Sequence, residues 1–209
     1  MIDHGCHSVL GVNVHAVDYE SATEKIIVAA RQQQALTVSA LAVHGVMTGV
    51  ASNEHRHRLN HTDLVVPDGQ PVRWALNLLY KTKLKERVYG PTLTLKICER
   101  AVNENLPIYL YGSRKDVLQM LSENLAKQFH GIKIAGIAPS LFRQTDEKEK
   151  QQIAKRIKDS GARIVFIGLG CPRQEVWAFE YRKSLEMPII AVGAAFDFHA
   201  GLLKQAPNP

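Results

Sequence analysis

The sequence predicts an α/β domain in which a parallel sheet is covered on both faces by helices. Three observations carry this expectation. Short apolar, β-branched runs recur along the chain, among them Leu36–Val43, Pro107–Tyr111 and Ala162–Ile167. Between them lie longer stretches with apolar residues at helical spacing. The run over Ala162–Ile167 is continuously apolar apart from Arg163, as in strands buried on both faces. With 209 residues, 45% of them hydrophobic, the chain can bury a sizeable core in one domain or two closely fused lobes.

Ser8 to Val14 alternates as a short strand, and Glu20 to Arg31 follows with helical spacing through Ala22, Ile26, Ile27, Ala29 and Ala30. Leu36–Val43 is the next strand, Val46 to His57 a helix, and Asp63–Val66 a further strand ending in Pro67-Asp68-Gly69. Helices are expected over Pro71–Leu79 and Pro91–Glu104. Alternation is cleaner beyond this point. Pro107–Tyr111 is a strand closing on Gly112-Ser113, followed by a helix to about Phe129. Lys133–Ile137 is a strand, then a loop and a charged helix over Asp146–Asp159. Ala162–Ile167, a helix through Arg182 and a last strand over Pro188–Val192 complete the pattern, which is Rossmann-like. No repeat, low-complexity tract or linker separates domains. The division is into an N-terminal α/β lobe of residues 1–105 and a second half of residues 106–209, with Lys204–Pro209 reading as an exposed tail.

In such sheets ligands collect at the carboxyl ends of the strands. That rule groups Asp68, Gly112-Ser113, Gly168–Gly170 and Gly193–Asp197 as rim residues. The most informative stretch is Ala162–Glu175. Its apolar run stops at Gly168-Leu169-Gly170, and Pro172 then suits the first turn of a helix. N–H groups at that helix start attract phosphate, while Arg173 adds charge and Gln174 amide donors. An ordinary strand-to-helix turn with a solvated polar face fits the same residues. Asp68, rigid at a strand end, suits a general base, but from these residues alone the favoured reading is a helix N-cap before Gly69-Gln70-Pro71. Arg87 could clamp a phosphate or stand as a surface charge. Phe196-Asp197-Phe198-His199 sets an acid and an imidazole among apolar residues, as substrate contact or as a packing corner.

Several functional classes are excluded. A net charge of +6 and a pI near 9.3 favour anionic partners. No basic run with interleaved aromatics supports nucleic-acid binding. Cys6, Cys98 and Cys171 form no disulfide or zinc spacing, which points to a reducing cytoplasm. Neither a signal peptide nor a membrane-length apolar stretch is expected, so membrane contact would be peripheral. His57 and His61 share a helical face but lack accompanying carboxylates, so no metal is expected. A nucleophile elbow and a dinucleotide-binding glycine fingerprint are both missing. Cys171 stands at a helix start, where a thiol pKa can fall, yet reads as packing.

Taken together, the segments Leu59–Gly69, Glu86–Gly90, Ile108–Ser113, Gly168–Glu175 with Trp177, and Gly193–Gly201 resemble the WecG/TagA/CpsF family of bacterial glycosyltransferases in order and spacing. The resemblance implies transfer of an N-acetylmannosamine-type sugar, or its uronic acid, from a UDP donor to a polyprenyl-diphosphate-linked sugar in cell-surface polysaccharide synthesis. It implies inversion, no metal or other cofactor, self-association, and a cytoplasmic protein peripheral to the inner face of the plasma membrane. Asp68 becomes the catalytic base. Gly112, Ser113, Gly168, Gly170, Pro172, Arg173, Gln174 and Glu175 become the nucleotide-binding set, with Arg87 and Asp197 on the substrate.

Three departures accompany the resemblance. Ala40-Leu41-Ala42 stands where the family has Thr-Pro-Asn, so Ser39 or His44 is expected to replace the lost polar group. Gly90-Pro91-Thr92 replaces a Gly-x-Asp pattern, removing an acid. The family continues past Ala-Pro with an aromatic and basic tail that closes the site. A chain without it is expected to fold and bind nucleotide but to transfer sugar poorly. The competing class is a non-catalytic nucleotide- or glycan-binding module of a polysaccharide assembly complex.

Overall fold

The computed structural model describes residues 1–204. The chain opens on an antiparallel hairpin, β1 (Asp3–Val9) and β2 (Val12–Val17), closed at Leu10-Gly11. The alternation that predicts one strand over Ser8–Val14 therefore runs through a turn. Leu10 and Gly11 both take positive φ, 53° and 84°, and the period of two resumes on the far arm. α1 (Tyr19–Gln32) starts where the Asp18 carboxylate accepts the Ser21 N–H at 2.8 Å. After β3 (Leu36–Leu41) the helix predicted over Val46–His57 is two helices, α2 (Val43–Ala51) and α3 (Asn53–Asn60). Ser52 breaks it by taking extended backbone and capping α3 through the His55 N–H at 3.2 Å. β4 (Leu64–Pro67), α4 (Gln70–Tyr80) and α5 (Gly90–Asn103) complete the first half.

The second half alternates as expected: β5 (Ile108–Gly112), α6 (Lys115–Gln128), β6 (Ile134–Ala138), α7 (Glu147–Asp159), β7 (Ile164–Gly168), α8 (Arg173–Tyr181), β8 (Pro188–Ala191) and α9 (Ala195–His199). Six strands form one parallel sheet in the order β4-β3-β8-β7-β5-β6. β8, last in sequence, pairs with β3 and joins the two halves of the sheet. The predicted tail from Lys204 lies, beyond that residue, outside the described residues.

Alternate residues of each strand feed different cores. Ile164 and Phe166 of β7 pack with α1, α5, α6 and α9, whereas Val165 and Ile167 pack with α7 and α8. Leu64 and Val66 of β4 join the first of these cores, and Val65 joins a third under the hairpin, α2 and α4. Burying each such side chain contributes about 1.5–3 kcal/mol, so a one-residue slip of any strand would expose a whole row. Because all six strands run parallel, their carboxyl ends share one edge. β5 has β6 on one side and β7 on the other, and this reversal opens a crevice at that edge.

Candidate active site

Asp68 follows β4 directly, on the shared edge. Its N–H donates to the Leu41 carbonyl at 3.2 Å, and its Oδ2 accepts the Gly90 N–H at 3.1 Å. The capping alternative is not what forms, because Gly69 holds the N-cap position of α4 without any side-chain bond. The carboxyl is tied instead to the first turn of α5. Burial raises its pKa to about 6, against the opposing pull of the Gly90 N–H and the Arg87 guanidinium. Gly90 allows this approach: a Cβ there would lie 3.2 Å from Asp68 Oδ2, 3.2 Å from the Val192 carbonyl and 3.3 Å from Ala40 Cβ. Arg87 lies over the Tyr89 ring, 4.2 Å from its centroid, which holds the guanidinium beside the carboxylate.

A cleft of about 550 Å³ occupies the β5–β7 crevice. The Ser140–Thr145 loop and Lys150 form one wall, Pro172, Arg173 and Val176 the other, and Tyr111 with Trp177 the floor. Trp177 stacks on Tyr181 at 3.9 Å between centroids and on Tyr111 at 4.8 Å. Arg143 in the loop pairs with Glu149 at 2.8 Å, tying the wall to the first turn of α7. Three strand spacings, about 14 Å, separate β4 from β7. Asp68 and the cleft thus stand apart along one edge, with the ends of β3 and β8 between them.

Sequence reasoning missed Tyr111, Arg143 and Lys150 as parts of this cleft. Arg143 sits in a loop without periodicity, and only the later Asp146-x-x-Glu149 capping box marks where that loop stops.

The sequence-derived set divides in the structure. Arg173 and Pro172 are exposed at the mouth of the cleft, and Gly170 (φ 74°) has open space where a Cβ would be. Gly112 and Gly168 have a different cause. They are partners in the β5–β7 ladder, and a Cβ on Gly112 would lie 2.6 Å from the Gly168 carbonyl oxygen. One on Gly168 would lie 2.4 Å from the Phe196 ring. Close packing, rather than ligand approach, requires glycine at both. Ser113 follows at φ 54°, half-buried on the edge.

Gln174 and Glu175 turn inward and are buried. The Gln174 amide predicted to donate to phosphate donates instead to Glu175 Oε1 at 2.9 Å. The helix turn places both residues against β3, where Ser39 Oγ donates to the same oxygen at 3.0 Å. Ser39 therefore does not stand in for the missing polar group near Asp68. Strand alternation puts its side chain on the opposite face of β3 from Ala40, the residue beside Gly90. His44 is exposed in the first turn of α2. Asp197 is half-buried in α9; the Arg114 guanidinium, whose pKa Asp116 raises by a side-chain hydrogen bond, also feels the Asp197 charge. The Cys171 thiol, at a position where helix-start geometry lowers a pKa, is pushed up to about 12 by burial and by the Glu175 carboxylate.

The sequence matches the family described as "Glycosyl transferase WecG/TagA/CpsF family" over residues 7–209. The chain belongs to this family. It is similar to an N-acetylglucosaminyldiphosphoundecaprenol N-acetyl-beta-D-mannosaminyltransferase of Bacillus spizizenii, with 29% identity over 151 residues, 72% of this chain and 56% of the relative. A protein of the same name from Bacillus subtilis (strain 168) is 24% identical over 203 residues, 97% of this chain and 76% of the relative. The chain thus spans little more than half the length of the first relative. Among the described residues, no helix of this WecG/TagA/CpsF member is long and apolar enough to cross a membrane.

Proposed function

We propose that the chain transfers an N-acetylmannosamine-type sugar from a UDP donor to a polyprenyl-diphosphate-linked N-acetylglucosamine, with inversion and without a catalytic metal. The observation that carries this reading is Asp68: a carboxyl at a strand end with a pKa near 6, held by one backbone N–H. It is ionised at neutral pH yet basic enough to accept a proton from an alcohol under attack. Oδ1, which Gly90 does not engage, takes that proton. The acceptor oxygen bonds to the anomeric carbon, the bond to the diphosphate breaks, and UDP leaves with the electron pair. Arg173 and the first N–H groups of α8 offset the charge on the diphosphate, with Ser113 and Gly170 lining the approach. The aromatic floor of Tyr111 and Trp177 suits a nucleobase. Arg87 and Asp197 are assigned to the sugar and acceptor.

The acceptor is a lipid, and exposed Met47 of α2 with Trp74 and Leu78 of α4 gives the β3–β4 side an apolar surface for peripheral membrane contact. The test is turnover of UDP-N-acetylmannosamine with a diphospholipid-linked N-acetylglucosamine, in wild type and in Asp68→Asn. The variant is expected to lose about 10²–10⁴-fold in kcat while still binding UDP. Added Mg²⁺ should leave the wild-type rate unchanged. Wild-type turnover by the variant would exclude the mechanism. UDP binding without turnover, even in a chain that carries the family's aromatic and basic tail, would support the binding-module reading, to which Ala40, apolar beside the base, lends weight.

A further inference from the structure

Two segments distant in sequence bring three metal-ligating side chains together beside β3. His55 of α3, Cys171 of the β7–α8 turn and Glu175 of α8 place a nitrogen, a sulfur and an oxygen within 4.8 Å of one another. His55 and Glu175 are 3% and 2% exposed. Neither ring nitrogen of His55, nor Oε2 of Glu175, has a hydrogen-bond partner among the described residues. Leaving such atoms dry and unpaired is destabilising, so a ligand that engages them is favoured. The other carboxylate oxygen is fixed by Ser39 and Gln174, which leaves Oε2 uncommitted. Gly45 of α2 closes the group from above: a Cβ there would lie 3.6 Å from Cys171 Sγ and 2.3 Å from a Leu41 methyl.

Imidazole, thiolate and carboxylate make a borderline donor set, whereas Mg²⁺ and Ca²⁺ prefer oxygen alone. We propose that His55, Cys171 and Glu175 bind a Zn²⁺ ion, with the fourth position open to water or to the nearby Thr48 hydroxyl. Bonds of about 2.0–2.3 Å put tetrahedral ligand atoms roughly 3.3–3.8 Å apart, so the group closes by about 1 Å around the ion. The thiol proton passes to solvent as the zinc–sulfur bond forms. Such an ion ties α3 to the turn that precedes Arg173. It fixes that turn and takes no part in diphosphate departure. The assignment stands independently of the sugar-transfer reading.

The experiment uses untagged protein in a Cys6→Ser background, because exposed Cys6, flanked by His4 and His7, could bind metal by itself. Metal-stripped protein given one equivalent of Co²⁺ is expected to show a thiolate-to-cobalt charge-transfer band, which Zn²⁺ then displaces. Zinc at a hundredfold excess over its Kd is expected to raise the unfolding midpoint by about 5–10 °C. Cys171→Ser should abolish the band. His55→Leu, which removes the two unpaired nitrogens, should fold at least as stably without metal and lose the zinc-dependent shift. A band that survives in Cys171→Ser, or a midpoint that zinc does not move, overturns the assignment, whatever the protein's activity.

Discussion

The Gly90 N–H reaches Asp68 Oδ2 at 3.1 Å, joining the end of β4 to the start of α5 across 22 residues of sequence. This bond orients the carboxylate, while burial keeps its proton affinity high. The folded chain therefore holds that proton more tightly than the unfolded chain, whose carboxyl titrates near 3.8. Stability contributed by this group falls as pH rises from about 4 to about 6, then stays level. Asp68→Asn keeps an acceptor for Gly90 and removes the buried charge. It is expected to raise stability at pH 7.5 by about 2–3 kcal/mol, measured by urea unfolding.

On the proposed mechanism, wild-type kcat/KM is expected to climb with pH through about 6 and then level, since only the ionised carboxylate accepts a proton. A profile flat from pH 5 to pH 8 would remove Asp68 from the base role.

Gly90→Ala inserts a methyl 3.2 Å from both Asp68 Oδ2 and the Val192 carbonyl. The carbonyl belongs to the sheet edge and yields less than the side chain, so the carboxylate moves. We expect kcat to fall by about tenfold or more, with about 1–2 kcal/mol of lost stability. Paired kinetics and denaturant curves separate the two effects.

Gly168→Ala and Gly170→Ala divide packing from conformation. The first drives a methyl into the Phe196 ring and should cost about 1–3 kcal/mol. The second meets open space and carries only the penalty of a positive φ, about 1 kcal/mol. Equal losses in urea unfolding would contradict this assignment.

Arg173 is exposed and forms no ion pair among the described residues, so its removal should leave the fold intact. Arg173→Ala is expected to reduce kcat/KM for the donor by about 10²-fold with an unchanged melting temperature. A loss in stability that matched the loss in rate would make it structural.

The sheet was legible because paired cores impose β-branched runs at regular intervals, and so was the place of Asp68 at a strand end, although the residues alone favour a cap there and only the family resemblance points to a base. The hairpin was not, since alternation through Leu10-Gly11 looks the same with or without a turn. Glu175 shows a different limit. Polar residues after a glycine turn read as ligand-facing, but which side of α8 meets β3 is decided by tertiary packing. His55 and Cys171 share no spacing that links them, so only the fold could bring them together. The wall made by Ser140–Thr145 carries no period, and nothing local distinguishes it from an ordinary connection.

Gly112 and Gly168 face each other with no room for another atom, and Phe196 seals the second from below. The sheet edge beside the crevice is consequently a rigid gauge whose width cannot drift without breaking the sheet. Adaptation to a different donor, by natural variation or in the laboratory, falls to the walls, above all the Ser140–Thr145 segment, whose side chains can be exchanged without disturbing a strand.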